Sequence, residues 1–247
     1  AFNRQLDNAE RAEIKSNYKN LREAAKKTFG GFTIVANDQS ALSVSVDECR
    51  SKLEEGWQAG GNSFLASYGD FNVNEESNKL AQEFVRIKIR QAVQDPETAE
   101  KLLPHHIIGC KRLCLGNNYY DTYNRDNVTL VSLGEAGVKR ITPTSLVTEN
   151  AELQIDDLVL ATGFDAMTGA ISRVHIQGRD NLTLSTAWEA GPRTYLGLMT
   201  HGFPNFFTIT GPGSPSVLTN MVPTIEQHVE WIAECIDYLR KNDISEI

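Results

Sequence analysis

Cysteine is scarce, with four residues in 247, at positions 49, 110, 114 and 235. That count and scatter exclude a disulfide framework, and a reducing cytoplasm is the natural setting. Long hydrophobic runs are missing as well. Nothing approaches the about 18 apolar residues of a membrane span, and the polar first ten residues hold no secretory-signal core, so the chain reads as soluble. Basic charge is in deficit: 24 Lys and Arg face 32 Asp and Glu, a net charge of −8, which offers no general field to a nucleic acid. Gly-x-Ser-x-Gly and the Walker Gly-Lys-Ser/Thr element are both absent. His175, His201 and His228 have no nucleophile in a matching context, so hydrolase and P-loop chemistry lack support. What remains is an ordinary globular composition, 40% hydrophobic and 23% charged, long enough for one large or two small domains. Position 1 is alanine and opens directly on a helix-like polar stretch, as in a chain cut from something longer.

Residues 7–29 carry strong helix formers with acidic residues ahead of basic ones, and Gly30-Gly31 as a stop, which predicts one helix. A structureless polar segment is expected over residues 33–43. Ser45-x-x-Glu48 then opens a helix to about Ala59, closed by Gly60-Gly61. Leu80, Phe84, Val85, Ile87 and Val93 give a third helix over residues 74–93, and Asp95-Pro96 starts a short fourth. From Pro104 the pattern changes to short strand-like runs at residues 128–132, 137–141 and 145–148. The apolar run Asp157-Leu-Val-Leu-Ala161 reads as a strand covered on both faces, and residues 206–210 resemble it. Apolar residues from Leu218 to Leu239 recur at spacings of three and four, predicting a final helix from about Pro223. The second half has too little helical pattern to cover its buried strands, so other segments are expected to complete those sheets.

Three constellations bear on chemistry. Ala161-Thr-Gly-Phe-Asp165 follows the apolar strand, where open α/β sheets bind ligands, although an ordinary turn is an equally simple reading. Thr210-Gly-Pro-Gly-Ser-Pro-Ser216 precedes the last helix, whose N-terminus offers amide donors to an anion or a polarised carbonyl; a plain strand-to-helix connection is the alternative. Lys111-Arg112 lies in Gly109-Cys-Lys-Arg-Leu-Cys114. As a functional pair, the Arg would stabilise negative charge developing on oxygen and the Lys would meet a phosphate; otherwise both are solvated surface cations. Cys110 and Cys114 beside His105-His106 have the wrong spacing for a zinc knuckle, so no metal is expected.

Read in order, these motifs resemble the Baeyer–Villiger monooxygenases, flavoenzymes similar to cyclohexanone, phenylacetone and steroid monooxygenases. The stretches that carry the likeness are Cys110-Lys-Arg-Leu-Cys-Leu115, Tyr119-Tyr120, Tyr123-Asn-Arg-Asp-Asn-Val128, Asp157-Leu-Val-Leu-Ala-Thr-Gly-Phe-Asp-Ala166, Gly191-Pro-Arg-Thr-Tyr-Leu-Gly197, Phe203-Pro-Asn205, Gly211-Pro-Gly-Ser-Pro-Ser216 and Ile225-Glu-Gln-His-Val-Glu-Trp231. The resemblance implies an α/β fold. It is a two-dinucleotide-binding-domain flavoprotein architecture, represented in part, with an α-helical insertion. Its divisions would be residues 1–110 (the insertion), 111–163 (return segment of the NADP-binding domain) and 164–247 (return segment of the FAD-binding domain). It implies FAD and NADP(H) as cofactors, O2 and a ketone as substrates, and an ester or lactone as product. Neither nucleic acid nor membrane is implied as a partner.

By the same resemblance Arg112 is the catalytic arginine and Lys111 contacts NADP. Gly163 and Asp165 fall on a hinge between nucleotide domains. Gly211, Gly213, Asn220 and Met221 fall on the cofactor side of the Gly-Pro-rich loop, and Ser216, Val217 and Leu218 line the substrate pocket. The departures are equally definite. No Gly-x-Gly-x-x-Gly is present, so both phosphate-cradling motifs of the family are missing, which implies an N-terminal segment beyond these residues. An N- or S-oxygenating flavoenzyme of the same architecture, and a catalytically incomplete fragment or binding module, stay open as alternatives.

Overall fold

In the computed structural model, residues 5–28, 30–34, 37–133, 137–215 and 218–247 are described. The chain divides into two compact units, one of Ala1–Glu13 with Ile34–Val159 and one of Ile14–Thr33 with Leu160–Ile247.

The stretch read as one helix forms two, α1 (Asn8–Ser16) and α2 (Tyr18–Lys26). Asp7 and Glu10 open α1 as a reciprocal capping box: Glu10 N donates to Asp7 Oδ1 at 2.8 Å and Asp7 N donates to Glu10 Oε2 at 2.9 Å. Asn17 interrupts the run at φ −105°, ψ 12°, and its side-chain oxygen accepts from Asn20 Nδ2 at 2.8 Å. Asparagine is among the weaker helix formers and favours helix ends, so one in mid-run marks where the helix divides.

In the first unit, α3 (Val46–Ala59), α4 (Glu75–Ala92) and α5 (Pro96–Leu102) stand where the caps place them. Ser45 Oγ accepts from Glu48 N at 3.2 Å, Asn74 Oδ1 from Glu76 N at 2.9 Å and Ser77 N at 3.1 Å, and Asp95 Oδ2 from Thr98 N at 2.9 Å. The segment expected to be structureless holds a short 3-10 turn, Ala41–Ser43, capped by Ser40. Asp70 organises that turn, accepting from Ser40 Oγ at 2.6 Å, Ser77 Oγ at 2.5 Å and Ala41 N at 3.1 Å. Against the effect of burial, these bonds hold its carboxyl below the ordinary value.

The core between α3 and α4 is aromatic. Phe64 stacks on Phe84 with ring centres 5.6 Å apart, and Trp57 meets both edge-on at 5.7 and 5.8 Å. Phe64 is fully buried, so Phe64→Ala removes the centre of three rings at once. The expected cost is about 3–5 kcal/mol, read as a fall in the urea midpoint of the first unit. Beyond α5, a three-stranded antiparallel meander forms from β1 (Val138–Ile141), β2 (Ser145–Thr148) and β3 (Glu152–Gln154), paired in the order β1-β2-β3. The first two strands are those expected, and β3 is new.

Three expected strands do not form. Residues 128–132 are irregular, and residues 206–210 contribute one isolated bridge, Phe207 to Met199. The run at 157–161 forms no strand and is unpaired, with Val159 85% and Leu160 71% exposed. A strand needs a neighbour for its hydrogen bonds, and none of the described residues supplies one. Apolar composition marks a segment's preference for burial without providing the surface that buries it.

The second unit has a small core of Leu184, Trp188 and Phe203, with Leu184 and Trp188 belonging to or bounding α6 (Leu184–Ala187). Its last element, α7 (Met221–Lys241), starts at Met221 rather than Pro223, because Asn220 Oδ1 caps it by accepting from Val222 N at 3.3 Å. Proline therefore sits inside the first turn, where its missing N–H has no helical partner to lose. The face of α7 that is buried carries Thr224, His228 and Leu239, while Val222 and Val229 of the apolar series are exposed. Among the described residues no helix is long and apolar enough to cross a membrane.

Candidate functional site: two loops in two units

In the first unit the Lys111-Arg112 loop leaves the helical core at a defined point. Ile108, 3% exposed, belongs to the aromatic cluster, and the half-buried Leu113 packs against the same cluster. Between them residues 109–112 are exposed, so Lys111 and Arg112 stand side by side in solvent on a short arch with both feet on the core. Gly109 makes the turn at φ +93°, and a Cβ there would lie 2.4 Å from Asn72 Oδ1. Cys110 and Cys114 are exposed free thiols on either side of the pair.

The tyrosine-rich stretch that follows fastens the chain again. Tyr120 and Tyr123 pack against the cluster of Ile89, Val93, Ala99 and Leu103. Asn124 Nδ2 donates to Ala92 O at 2.8 Å and its Oδ1 accepts from Gln94 N at 2.8 Å, which closes the C-terminal end of α4. Tyr119 and Tyr123 share a hydroxyl hydrogen bond at 2.9 Å; that bond and burial push the Tyr123 phenol up to about 12, so it is protonated at neutral pH.

In the second unit the Gly-Pro-rich loop is seated by close backbone contacts. Thr194 Oγ1 donates to Pro212 O at 2.7 Å, Thr208 Oγ1 donates to Gly197 O at 2.7 Å and Thr208 N donates to Leu198 O at 2.8 Å. A Cβ on Gly211 would fall 2.5 Å from Thr208 Oγ1, and one on Gly213 would fall 2.6 Å from Thr194 Oγ1. Both glycines are thus required by packing. Gly211 is itself buried and shapes the loop, while Gly213 is exposed with φ +88°.

Immediately before this loop, Thr210 adopts φ +52°, unusual for a β-branched residue. Its N–H donates to Nδ1 of the buried His228 on α7 at 3.0 Å. Burial holds His228 below its ordinary pKa, consistent with a neutral ring that accepts this bond. With a depressed folded value, the contribution of His228 is complete above the unfolded value of about 6.5 and is lost as pH falls below it. The urea midpoint of the second unit should therefore drop between pH 7.5 and 5.5, and His228→Asn should flatten that dependence.

Asn220 is largely engaged inside the protein. Besides capping α7, its backbone N donates to Gly30 O at 2.8 Å and its Nδ2 donates to Gly31 O at 3.2 Å. Met221 is half-buried and Leu218 is 79% exposed at the mouth of the helix; Ser216 and Val217 lie outside the described residues. Gly163 turns at φ +90° with nothing near its missing side chain, and Asp165 pairs with Arg173 in an exposed salt bridge. A groove of about 1030 Å3 in this unit runs past Met199 and past Tyr195, Phe203 and Trp231, residues of the stretches that carry the family likeness, but no residue given a catalytic, cofactor, hinge or substrate-pocket role lines it. Neither His228 nor the buried polar residues of α4, Asn78 and Gln82, belong to a motif that assigns them a role. Polar residues recurring at positions 78, 82 and 86, on the turns between apolar ones, were the available signal for the α4 residues.

No protein-family model matches the chain. Its curated relatives include a 2-oxo-Δ3-4,5,5-trimethylcyclopentenylacetyl-CoA monooxygenase of Pseudomonas putida, 41% identical over 93% of this chain and 42% of the relative. A Baeyer–Villiger monooxygenase of Pseudooceanicola batsensis is 37% identical over 98% of this chain and 44% of the relative. A phenazine N-monooxygenase of Lysobacter antibioticus is 39% identical over 96% and 44%. Among solved structures, an oxidised steroid monooxygenase bound to NADP superposes with TM-score 0.90 at 47% identity, covering 97% of this chain and 46% of that one. The chain thus spans less than half the length of the relatives it matches. In sequence and in fold, over nearly all of its own length, it is homologous to part of the Baeyer–Villiger monooxygenases.

Proposed function

We propose that the full-length protein carrying this sequence is an FAD- and NADPH-dependent Baeyer–Villiger monooxygenase that inserts one oxygen atom of O2 beside a ketone carbonyl, giving an ester or lactone. The observation that carries this reading is the match over 93–98% of the chain to monooxygenases, one bearing that family name, together with a structural match to a steroid monooxygenase bound to NADP. The exposed Lys111-Arg112 arch is the local feature that agrees with it.

The residues present suit part of such cofactors. A paired cation arch fits a phosphate and a developing oxyanion, and a rigid glycine loop ahead of a helix N-terminus fits a polarised ring carbonyl. The pyrophosphate cradle is not among them. FAD, when bound, would supply the redox chemistry, accepting hydride from NADPH and activating O2. Arg112 would hold a permanent positive charge against negative charge building on oxygen during addition to the ketone, and Lys111 would hold an NADP phosphate. Gly211 and Gly213 give the loop its shape, and Asn220 fixes the start of α7, where Met221 would contact the flavin. Ser216, Val217 and Leu218 bound the ketone pocket, and Gly163 and Asp165 serve as a hinge.

In this reading residues 1–110, 111–163 and 164–247 are the helical insertion and the return segments of the NADP- and FAD-binding domains. The bare run at 157–161 is completed by an N-terminal segment of the same protein, and the enzyme works in the cytoplasm. N-oxygenation is the second reading, favoured by the 39% identity to a phenazine N-monooxygenase. Turnover separates the two. With NADPH and O2, cyclic ketones should drive NADPH oxidation with stoichiometric ester, whereas oxidation driven by N-heterocycles with no ester from any ketone would replace the first reading by the second. No turnover of either class would leave a binding module.

A further inference from the structure

Asn78 is 1% exposed on α4 and uses its whole hydrogen-bonding capacity. Its Nδ2 donates to Phe71 O and to Ile108 O, both at 2.8 Å. Its Oδ1 accepts from Ile108 N at 3.0 Å and from Gln82 Nε2 at 2.9 Å. A primary amide has two donors and two acceptor sites, and all four are matched. One turn further along, Arg86 Nη2 donates to Gln82 Oε1 at 3.1 Å, and its Nε and Nη2 reach Pro104 O at 3.2 and 3.1 Å. Residues 78, 82 and 86 share one face of the helix at i, i+4 spacing. They form a polar ladder whose ends grip the two ends of segment 104–108, which has no helix or strand of its own.

This ladder determines where the Lys111-Arg112 arch begins. An apolar residue in place of Asn78 would leave Ile108 N–H and C=O buried without partners, which is costly for each group. The chain then turns at Gly109, where Asn72 leaves no room for a Cβ, and returns to the core at Leu113. One foot of the arch is thus a hydrophobic contact that tolerates sliding, and the other is a directional bidentate bond.

We propose that Asn78, backed by Gln82 and Arg86, is the positioning residue that sets the placement of Lys111 and Arg112; this rests on the role given to that pair above. The test uses the full-length enzyme with Asn78→Ser, Gln82→Leu and Arg112→Lys, alone and combined. Ester formed per NADPH, the flavin reduction rate at saturating NADPH, the KM for NADPH and thermal unfolding are read for each. In folded Asn78→Ser, ester per NADPH should fall about tenfold and KM rise, while saturated flavin reduction stays within about threefold of the parent. Combined with Arg112→Lys, the losses should be clearly less than additive, because both act through one guanidinium position.

A stability loss with unchanged ester yield and KM, or fully additive losses, would overturn the proposal. Should Asn78→Ser fail to fold, Gln82→Leu carries the test, since it leaves the bonds to Ile108 and Phe71 in place and removes only their support; full yield there also overturns it. Normal ester yield in Arg112→Ala would instead show that the underlying reading of Arg112 has failed, a result seen independently of any ladder variant.

Discussion

Arg112→Ala in the full-length enzyme should abolish ester formation while NADPH still reduces the flavin. Hydride transfer between two ring systems needs alignment and no cation at this point. Addition to a carbonyl, by contrast, concentrates negative charge on oxygen, where a fixed positive group lowers the barrier. Removing one such group costs about a hundredfold to a thousandfold in comparable sites. Stopped-flow reduction under anaerobic conditions and product yield in air read the two steps separately. Arg112→Lys should retain part of the yield, since charge survives but the planar fork of donors does not. Equal loss of reduction and oxygenation in Arg112→Ala would make the residue structural. That outcome would fit a role for the arch as a core-bracing turn between Ile108 and Leu113.

The purified 247-residue chain should be colourless. Dinucleotide flavins are held chiefly through the pyrophosphate, by amides of a glycine turn and the dipole of the following helix, and no Gly-x-Gly-x-x-Gly occurs in this sequence. Losing two or three charge-assisted hydrogen bonds, about 1.5–3 kcal/mol each, weakens a dissociation constant by about a hundredfold or more. Two loops that are each shaped by their own unit do not make up that difference. Flavin absorbance after gel filtration in the presence of excess FAD is the measurement. A stoichiometric yellow protein would overturn the prediction and would require a phosphate-binding surface built from other residues.

Legibility from sequence followed the range of the interactions concerned. Ser45, Asn74 and Asp95 mark helix starts because a cap is a contact over two or three residues, and the structure has each cap bond in place. Asn220 is a cap of the same chemical kind but lies ahead of a more conspicuous proline, while Asn17 divides a run of helix formers without a side-chain cap bond. In the strands the failure has a different origin. Leu158, Val159 and Leu160 satisfy every compositional rule for a covered strand and are bare, since covering them is a property of neighbours that composition does not contain.

Taken by itself, the sequence determined the helical first half, the two strand runs at residues 138–141 and 145–148, the lack of phosphate-cradling motifs and the family likeness carried by Lys111-Arg112 and Gly211-Pro-Gly213. All of these are local patterns or ordered motifs. Tertiary structure alone decided that Gly211 and Gly213 are glycine because Thr208 and Thr194 press against them, that His228 holds Thr210, and that Asn78 grips Ile108. Each of those contacts joins residues 18 or more apart in the chain, except for the shorter Thr208–Gly211 step. Their partners are backbone groups, which are identical in every residue and leave no mark in the order of side chains.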